Sequence, residues 1–218
     1  MDPNQETHDT WNNLAGLYQD KFMKLEVYND TYDFICNTIR KVGAKLLDIG
    51  CGPGNITQYL LSKRPDFDVF GIDIAPNMVA LAQQNNPTAQ FEVMDTRDLA
   101  KLHTTFDGII GGFCLPYLSP NERGQLIANA YQLLTAEGLL YLSFVEGDTS
   151  QSGFKSGSGG RVYFHYHPLH ELQADLKRQG FDEMQIFHVK YKISEVAFDL
   201  HTIITAKKGK APEFTRDQ

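Results

Sequence analysis

The sequence predicts an α/β protein in which helices cover both faces of a mostly parallel, doubly wound sheet. Three observations carry that expectation. Short aliphatic and β-branched runs alternate with longer amphipathic ones, no internal repeat interrupts the alternation, and one apolar run ends in a glycine-rich turn that opens a helix.

Lys45 to Ile49 is the first strand, and Gly50-Cys51-Gly52-Pro53-Gly54 leads from it into a helix over 55–62. Val69 to Asp73 reads as the second strand. The helix after it runs from Pro76, a residue tolerated in a first turn, to Gln83. Gln90 to Met94 and Phe106 to Gly112 are the third and fourth strands. Ser119-Pro120-Asn121-Glu122 combines a capping box with proline at the first helical position and opens a helix reaching about Thr135. Gly138 to Phe144 is the fifth strand, and a helix over 168–179 is stopped by Gly180. Two strands, Gln185 to Lys190 and His201 to Ala206, close the chain with no helix between them, so at least one is antiparallel. Residues 1–41 read as helical, with Trp11, Leu14, Leu17 and Tyr18 and then Tyr32, Ile35 and Ile39 at helical spacing. Their place ahead of the glycine turn makes them a candidate lid.

Composition removes several function classes. A chain of 218 residues that is 42% hydrophobic can bury a core without staples. No apolar run approaches the roughly 18 residues a membrane span needs, and the start, Met1 to Asp9, is polar and acidic, so neither a membrane nor a secretory route is expected. Cys36, Cys51 and Cys114 stand far apart in no paired spacing, which supports neither a disulfide framework nor a zinc site and fits a reducing cytoplasm. A net charge of −7 lacks the basic field that attracts a phosphate backbone, so no nucleic acid partner is expected.

The glycine turn sits where a sheet of this class binds its ligand, at the carboxyl end of a strand. Asp73 ends the next strand, 23 residues past Gly50, where a carboxylate can accept hydrogen bonds from both hydroxyls of a ribose. That pairing suits any adenosine cofactor. A dinucleotide turn places its third glycine three residues after the second, whereas here the interval is two, and Pro53 removes an amide donor that a diphosphate would use. A sulfonium cofactor ends in an amino acid and carries no phosphate, so it loses nothing by that absence.

Leu46-Leu47-Asp48-Ile49-Gly50-Cys51-Gly52-Pro53-Gly54-Asn55 resembles the first motif of the class I S-adenosylmethionine-dependent methyltransferases. Asp73 to Met78, Met94-Asp95-Thr96, Phe106 to Ile110 and Gly138 to Tyr141 resemble the second to fifth motifs in order, and the resemblance covers Trp11 to Lys208. It implies a Rossmann-like, seven-stranded sheet with an antiparallel last strand, in agreement with the helix-free ending at His201 to Ala206. The chain then divides into an N-terminal helical lid at 1–41, a methyltransferase domain at 42–208 with a Gly/Ser-rich insertion at 147–160, and a C-terminal tail at 209–218.

Carried over by position, the resemblance implies S-adenosyl-L-methionine as cofactor and S-adenosyl-L-homocysteine as product. Asp48 belongs to its first motif, Gly50, Gly52 and Gly54 pass beneath the methionine part, and Asp73 binds the ribose. Ile74 and Met78 flank the adenine, Asp95 accepts from its exocyclic amine, and Thr96 offers a neighbouring backbone amide. Phe113 gives main-chain contacts to the methionine end, over which Trp11 and Tyr18 close, the Tyr18 hydroxyl donating to the carboxylate. As a structural alternative, Asp48, Asp95 and Asp107 are also ordinary turn-capping residues.

Methyl transfer from a sulfonium is an in-line displacement that alignment and exclusion of water can accelerate, and a base is needed only when the acceptor must lose a proton. Tyr117, Glu146, His165 and His167 are the candidates near the crevice, with His165 and Tyr117 first and His167, next to Pro168, equally readable as a cap or surface residue. The segment Gly111 to Tyr117 lacks the Asn/Asp-Pro-Pro-aromatic pattern of methyltransferases acting on nucleic acid bases or glutamine, and lacks an acidic cluster, so no metal and no aminopropyl transfer are expected. The Gly/Ser-rich stretch Gly147 to Gly160 reads as mobile, either a lid over the acceptor or an untethered loop. In Tyr163-Phe164-His165-Tyr166, strand alternation puts Tyr163 and His165 on one face, which can line a pocket for a small acceptor. The expected function is methyl transfer to nitrogen or oxygen of a small molecule. The alternatives are a protein that holds the cofactor without turnover and, behind it, an NAD(P)-binding oxidoreductase.

Overall fold

Nine strands and six α-helices follow in an alternating order among the described residues of the computed structural model, which are 3–157 and 159–209. Of the expected C-terminal tail, 210–218 lie outside the described residues, as do Met1, Asp2 and Ser158. The elements are α1 (Pro3–Phe22), α2 (Asn29–Thr38), β1 (Lys45–Ile49), α3 (Asn55–Lys63), β2 (Asp68–Asp73), α4 (Pro76–Asn85), β3 (Gln90–Val93), β4 (Phe106–Gly112), α5 (Pro120–Leu133) and β5 (Leu134–Val145). They continue with β6 (Gly153–Gly157), β7 (Gly160–Phe164), α6 (Leu169–Gln179), β8 (Phe181–Lys192) and β9 (Phe198–Lys208).

Seven strands form one sheet in the order β3-β2-β1-β4-β5-β9-β8. Strands β1 to β5 are mutually parallel, and β9 runs antiparallel to both its neighbours. The doubly wound sheet with one antiparallel strand is therefore present. Successive residues of β1 serve opposite faces: Leu47 and Ile49 enter the core under α5 and α6, while Leu46 joins Ile35 of α2 and Leu60 of α3 on the other side. A strand buried on both faces has to read as a continuous apolar run, which is why β1 is legible. Strand order reverses between β1 and β4, and the crevice at their carboxyl ends is the position this topology offers a ligand.

Local chemistry sets the boundaries that matter to the site. Ser119 caps α5, with its hydroxyl accepting from the Glu122 amide and the Glu122 carboxylate accepting from the Ser119 amide at 2.7 Å. Gly180 ends α6 in the left-handed region at φ 101°. Strand β5 begins at Leu134, directly after α5, and its register against β4 slips by a bulge after Phe106.

Two expectations are corrected. Residues 153–157 and 160–164 are an antiparallel hairpin against α1, not a mobile loop. The Thr10 hydroxyl donates to the Arg161 carbonyl at 2.9 Å, Thr7 accepts from the Tyr163 amide at 2.9 Å, and Glu6 pairs with Arg161. Long-range partners override a flexible composition. Leu17, expected in the buried stripe of α1, is 64% exposed. At 3.6 residues per turn it falls about 120° from Trp11, whereas Ala15 and Tyr18 fall near it and face inward.

Candidate functional site

The turn after β1 is shaped by its glycines. Gly50, Gly52 and Gly54 have φ of 64°, 54° and 80°, a region in which an L side chain is strained. At Gly52 this frees an amide to donate to Asp73 Oδ2 at 2.9 Å, while the Ala75 amide donates to Oδ1 at the same distance. The carboxylate at the end of β2 is thus held rigidly beside the turn. Burial raises its pKa, against the two amides and the field of His8, which lower it. Gly54 serves helix packing instead. A Cβ there would meet Asn86 Nδ2 at 2.4 Å and Ala82 Cα at 3.2 Å, so its absence lets α3 start against α4.

A crevice of about 930 Å³, counting its open mouth, lies over this turn. Its lining brings together Gly50, Gly52, Asp73, Ile74, Met78 and Asp95 of the expected cofactor set. Thr96, Phe113, Trp11, Tyr18 and Tyr117 line it too. The Tyr18 ring passes over the turn, 3.6 Å from where a Gly52 Cβ would stand. Trp11 lies between Tyr18 and Tyr117, its ring centroid 5.6 Å and 5.7 Å from theirs, edge to face. Burial raises both phenols well above their ordinary range, so at neutral pH they are uncharged donors. The buried indole Nε1 of Trp11 has no hydrogen-bond partner at proper geometry, although it lies near enough to Tyr117 to oppose that rise weakly. Phe113 takes a left-handed φ of 56°, and its amide donates to Ser143 Oγ at 3.0 Å.

Other expected residues lie elsewhere. Asp48 is sealed beneath the turn, not in the lining. Its Oδ2 accepts from the Thr57 hydroxyl at 2.7 Å, its Oδ1 has no partner, and burial pushes its pKa up to about 6 against that hydrogen bond. Asp107 stands near the amino end of β4, away from the crevice, and accepts from Lys41 Nζ and the Lys45 amide, each at 2.9 Å. His165 is outside the crevice lining, and its amide donates to the Pro116 carbonyl at 2.7 Å. His167 is neither a cap nor a surface residue. It is fully buried, with Nε2 2.9 Å from the Leu115 carbonyl and Nδ1 3.1 Å from Arg123 Nη1. The Glu146 carboxylate accepts from Thr202 at 3.3 Å and from the Leu169 amide at 3.4 Å, holding α6 to the sheet.

Sequence reasoning missed His8, Arg97, Cys114 and Leu118, which also line the crevice. His8 stands one helical turn before Trp11 on α1, so the same periodicity signals it. Arg97 has no such signal, because its place depends on partners from three separate segments. Tyr163 reaches the crevice from β7, as the alternation implies, without His165.

The fold is Rossmann-like, with the crevice at the switch point of its sheet. Residues 46–138 match the family model described as a methyltransferase domain. The solved structure of magnesium protoporphyrin IX methyltransferase from Synechocystis PCC 6803, with bound S-adenosylmethionine, superposes with a TM-score of 0.73 at 18% identity, covering 96% of this chain and 98% of that one. The chain is 34% identical over 97 residues to a trans-aconitate 2-methyltransferase of Variovorax paradoxus, which is 44% of this chain and 37% of that protein. It is 23% identical over 180 residues to a carboxy-S-adenosyl-L-methionine synthase of Campylobacter jejuni, 79% of this chain and 72% of that protein. The chain spans about a third of the length of the curated relatives it matches above 30% identity. The match at 46–138 gives this stretch of the chain its likeness to a methyltransferase domain.

Proposed function

We propose that the protein transfers a methyl group from S-adenosyl-L-methionine to a nitrogen or oxygen atom of a small molecule. The observation that carries this reading is the Asp73 carboxylate, anchored by two amides beside the glycine turn at the floor of the crevice. The residues present fit the cofactor. The crevice offers an acceptor for the ribose, an apolar slot between Ile74 and Met78 for the adenine, and a cradle at Gly52 whose positive φ disfavours any side chain.

When bound, the cofactor supplies a methyl group on a cationic sulfur that is neutralised as the methyl leaves. The chain's part is to bind, orient and exclude water. Asp73 accepts from the ribose hydroxyls, and Asp95 and the Thr96 amide read the edge of the adenine. Gly50 and Gly52 let the main chain run close beneath the methionine part, while Gly54 keeps α3 and α4 close enough to shape the turn. Asp48 supports the turn from below. Phe113, its amide held by Ser143, presents its main-chain carbonyl to the methionine end, and the Trp11 and Tyr18 rings cover it, with the Tyr18 hydroxyl as donor to the carboxylate.

Of the candidate catalytic groups, Tyr117 faces the crevice as a neutral donor able to orient an acceptor. His165, outside the lining, is given no chemical step. Among the described residues no helix is long and apolar enough to cross a membrane. With three free cysteines and a net charge of −7, a cytoplasmic protein acting on a small molecule is the fitting picture.

The test is methyl transfer from labelled S-adenosylmethionine to fractionated metabolites. Label on a small-molecule fraction is expected. Cofactor binding without any labelling would favour a protein that holds the cofactor without turnover, or chemistry on the cofactor itself, as the name of the Campylobacter relative describes for that protein.

A further inference from the structure

Arg97 lines the crevice beside Asp95, and every nitrogen of its guanidinium is engaged. Nη1 donates to both oxygens of Asp95, at 3.1 and 2.9 Å, and the Arg97 amide donates to Oδ1 at 2.9 Å. Nε donates to Glu122, whose other oxygen closes the capping box of α5, and Nη2 reaches the Tyr117 carbonyl at 3.4 Å. One side chain thereby ties together the segment after β3, the start of α5 and the turn that carries Tyr117. Nη1 and the Arg97 backbone amide together hold the Asp95 carboxylate in position.

Arg97 is also a partition. A second cavity of about 470 Å³, counting its mouth, lies beyond it and shares Thr96, Arg97 and Leu118 with the crevice. Asn121, Gln125 and Leu126 of α5 line its far side, a mixed surface with the larger share apolar. Thr96, Arg97 and Leu118 are what the two spaces have in common, so shortening the Arg97 side chain is expected to join them.

We propose that Arg97 is the specificity-determining residue of the adenine subsite. It positions Asp95 to accept from a free 6-amino group and walls off the space that a substituent on that amine would enter. The inference rests on the reading of the crevice as an S-adenosylmethionine site with Asp95 at the adenine. It adds that this cofactor preference is set by a residue acting through Asp95.

The proposal is tested by calorimetric titration of the full chain and of R97A with three probes. These are S-adenosylhomocysteine, S-inosylhomocysteine, which has an oxygen in place of the amine, and N6-benzyl-S-adenosylhomocysteine. The parent protein is expected to prefer the first. In R97A the preference over the inosine analogue falls by about tenfold, the scale of one hydrogen bond to a charged group. The N6-benzyl analogue, in contrast, binds R97A at least about tenfold more tightly than it binds the parent, since the wall is gone. A gain of affinity cannot come from a damaged fold. If R97A does not fold, R97K serves: it keeps a cation beside Asp95 but cannot reach Glu122 and Tyr117 together, so both ratios move the same way by smaller factors. Unchanged ratios in the folded variant overturn the proposal. A parent protein that binds none of the three contradicts instead the cofactor reading beneath it, and that result is seen before any variant is compared.

Discussion

Asp73 and Asp48 lie at the ends of neighbouring strands in different surroundings, and that difference sets what each does. Asp73 is met by two backbone amides and opens to the crevice, so it is a preorganised acceptor. Replacing it with alanine is expected to weaken S-adenosylhomocysteine binding by about 1.5 to 3 kcal/mol, measured by calorimetry, because a hydrogen-bonding partner to the ribose is lost. Asp48 is sealed from water with a single hydroxyl donor, and its pKa rises from 3.8 to about 6. The folded state therefore holds the proton more tightly than the unfolded chain. The stabilisation this gives is complete below about pH 4 and disappears as pH rises to about 6, a loss of roughly 3 kcal/mol. Chemical denaturation at pH values of about 4.5 and about 7.5 checks it: Asp48→Asn should flatten that part of the pH profile, and an unchanged slope in the variant would assign it to other groups.

At the scale of elements, the legible parts are those with local signals. The capping box at Ser119 and Glu122 places the start of α5 because the two residues satisfy each other's backbone groups. Ser119→Ala is expected to lower stability by about 1 kcal/mol in a urea titration, with no change in the slope of the transition. The hairpin of β6 and β7 carries no such signal. Its order comes from Thr7, Thr10 and Glu6, far earlier in the chain, with Thr10 and Arg161 separated by 151 residues. Thr10→Val removes the hydroxyl that donates to Arg161, so amide exchange across 160–164 should quicken while exchange in β1 and β4 stays unchanged. Equal acceleration throughout the chain would show that the hairpin is not separately tethered by α1. The edge strand β8 is longer than the pattern indicates because its exposed face alternates with polar residues and leaves few apolar positions to mark its ends.

For the whole molecule, the sheet was legible because parallel strands buried on both faces read as unbroken apolar runs, and the helix-free ending required an antiparallel partner. Much of the candidate site was legible for the same reason. Gly50, Gly52, Asp73, Ile74, Met78 and Asp95 follow strand ends, where the topology alone directs them to the crevice. What escaped were the groups whose place depends on tertiary contacts. Arg97 is held by Glu122 and Tyr117, His167 is buried beside Arg123, and His165 packs against Tyr163, which lines the crevice, without lining it itself.

The measurement that bears most directly on the central claim is calorimetry of the intact protein with S-adenosylmethionine and, separately, with NADH. The predicted result is saturable one-to-one binding of the sulfonium, abolished or strongly weakened in Asp73→Ala, and no heat from the nicotinamide. Tight binding of NADH with none of S-adenosylmethionine would contradict it.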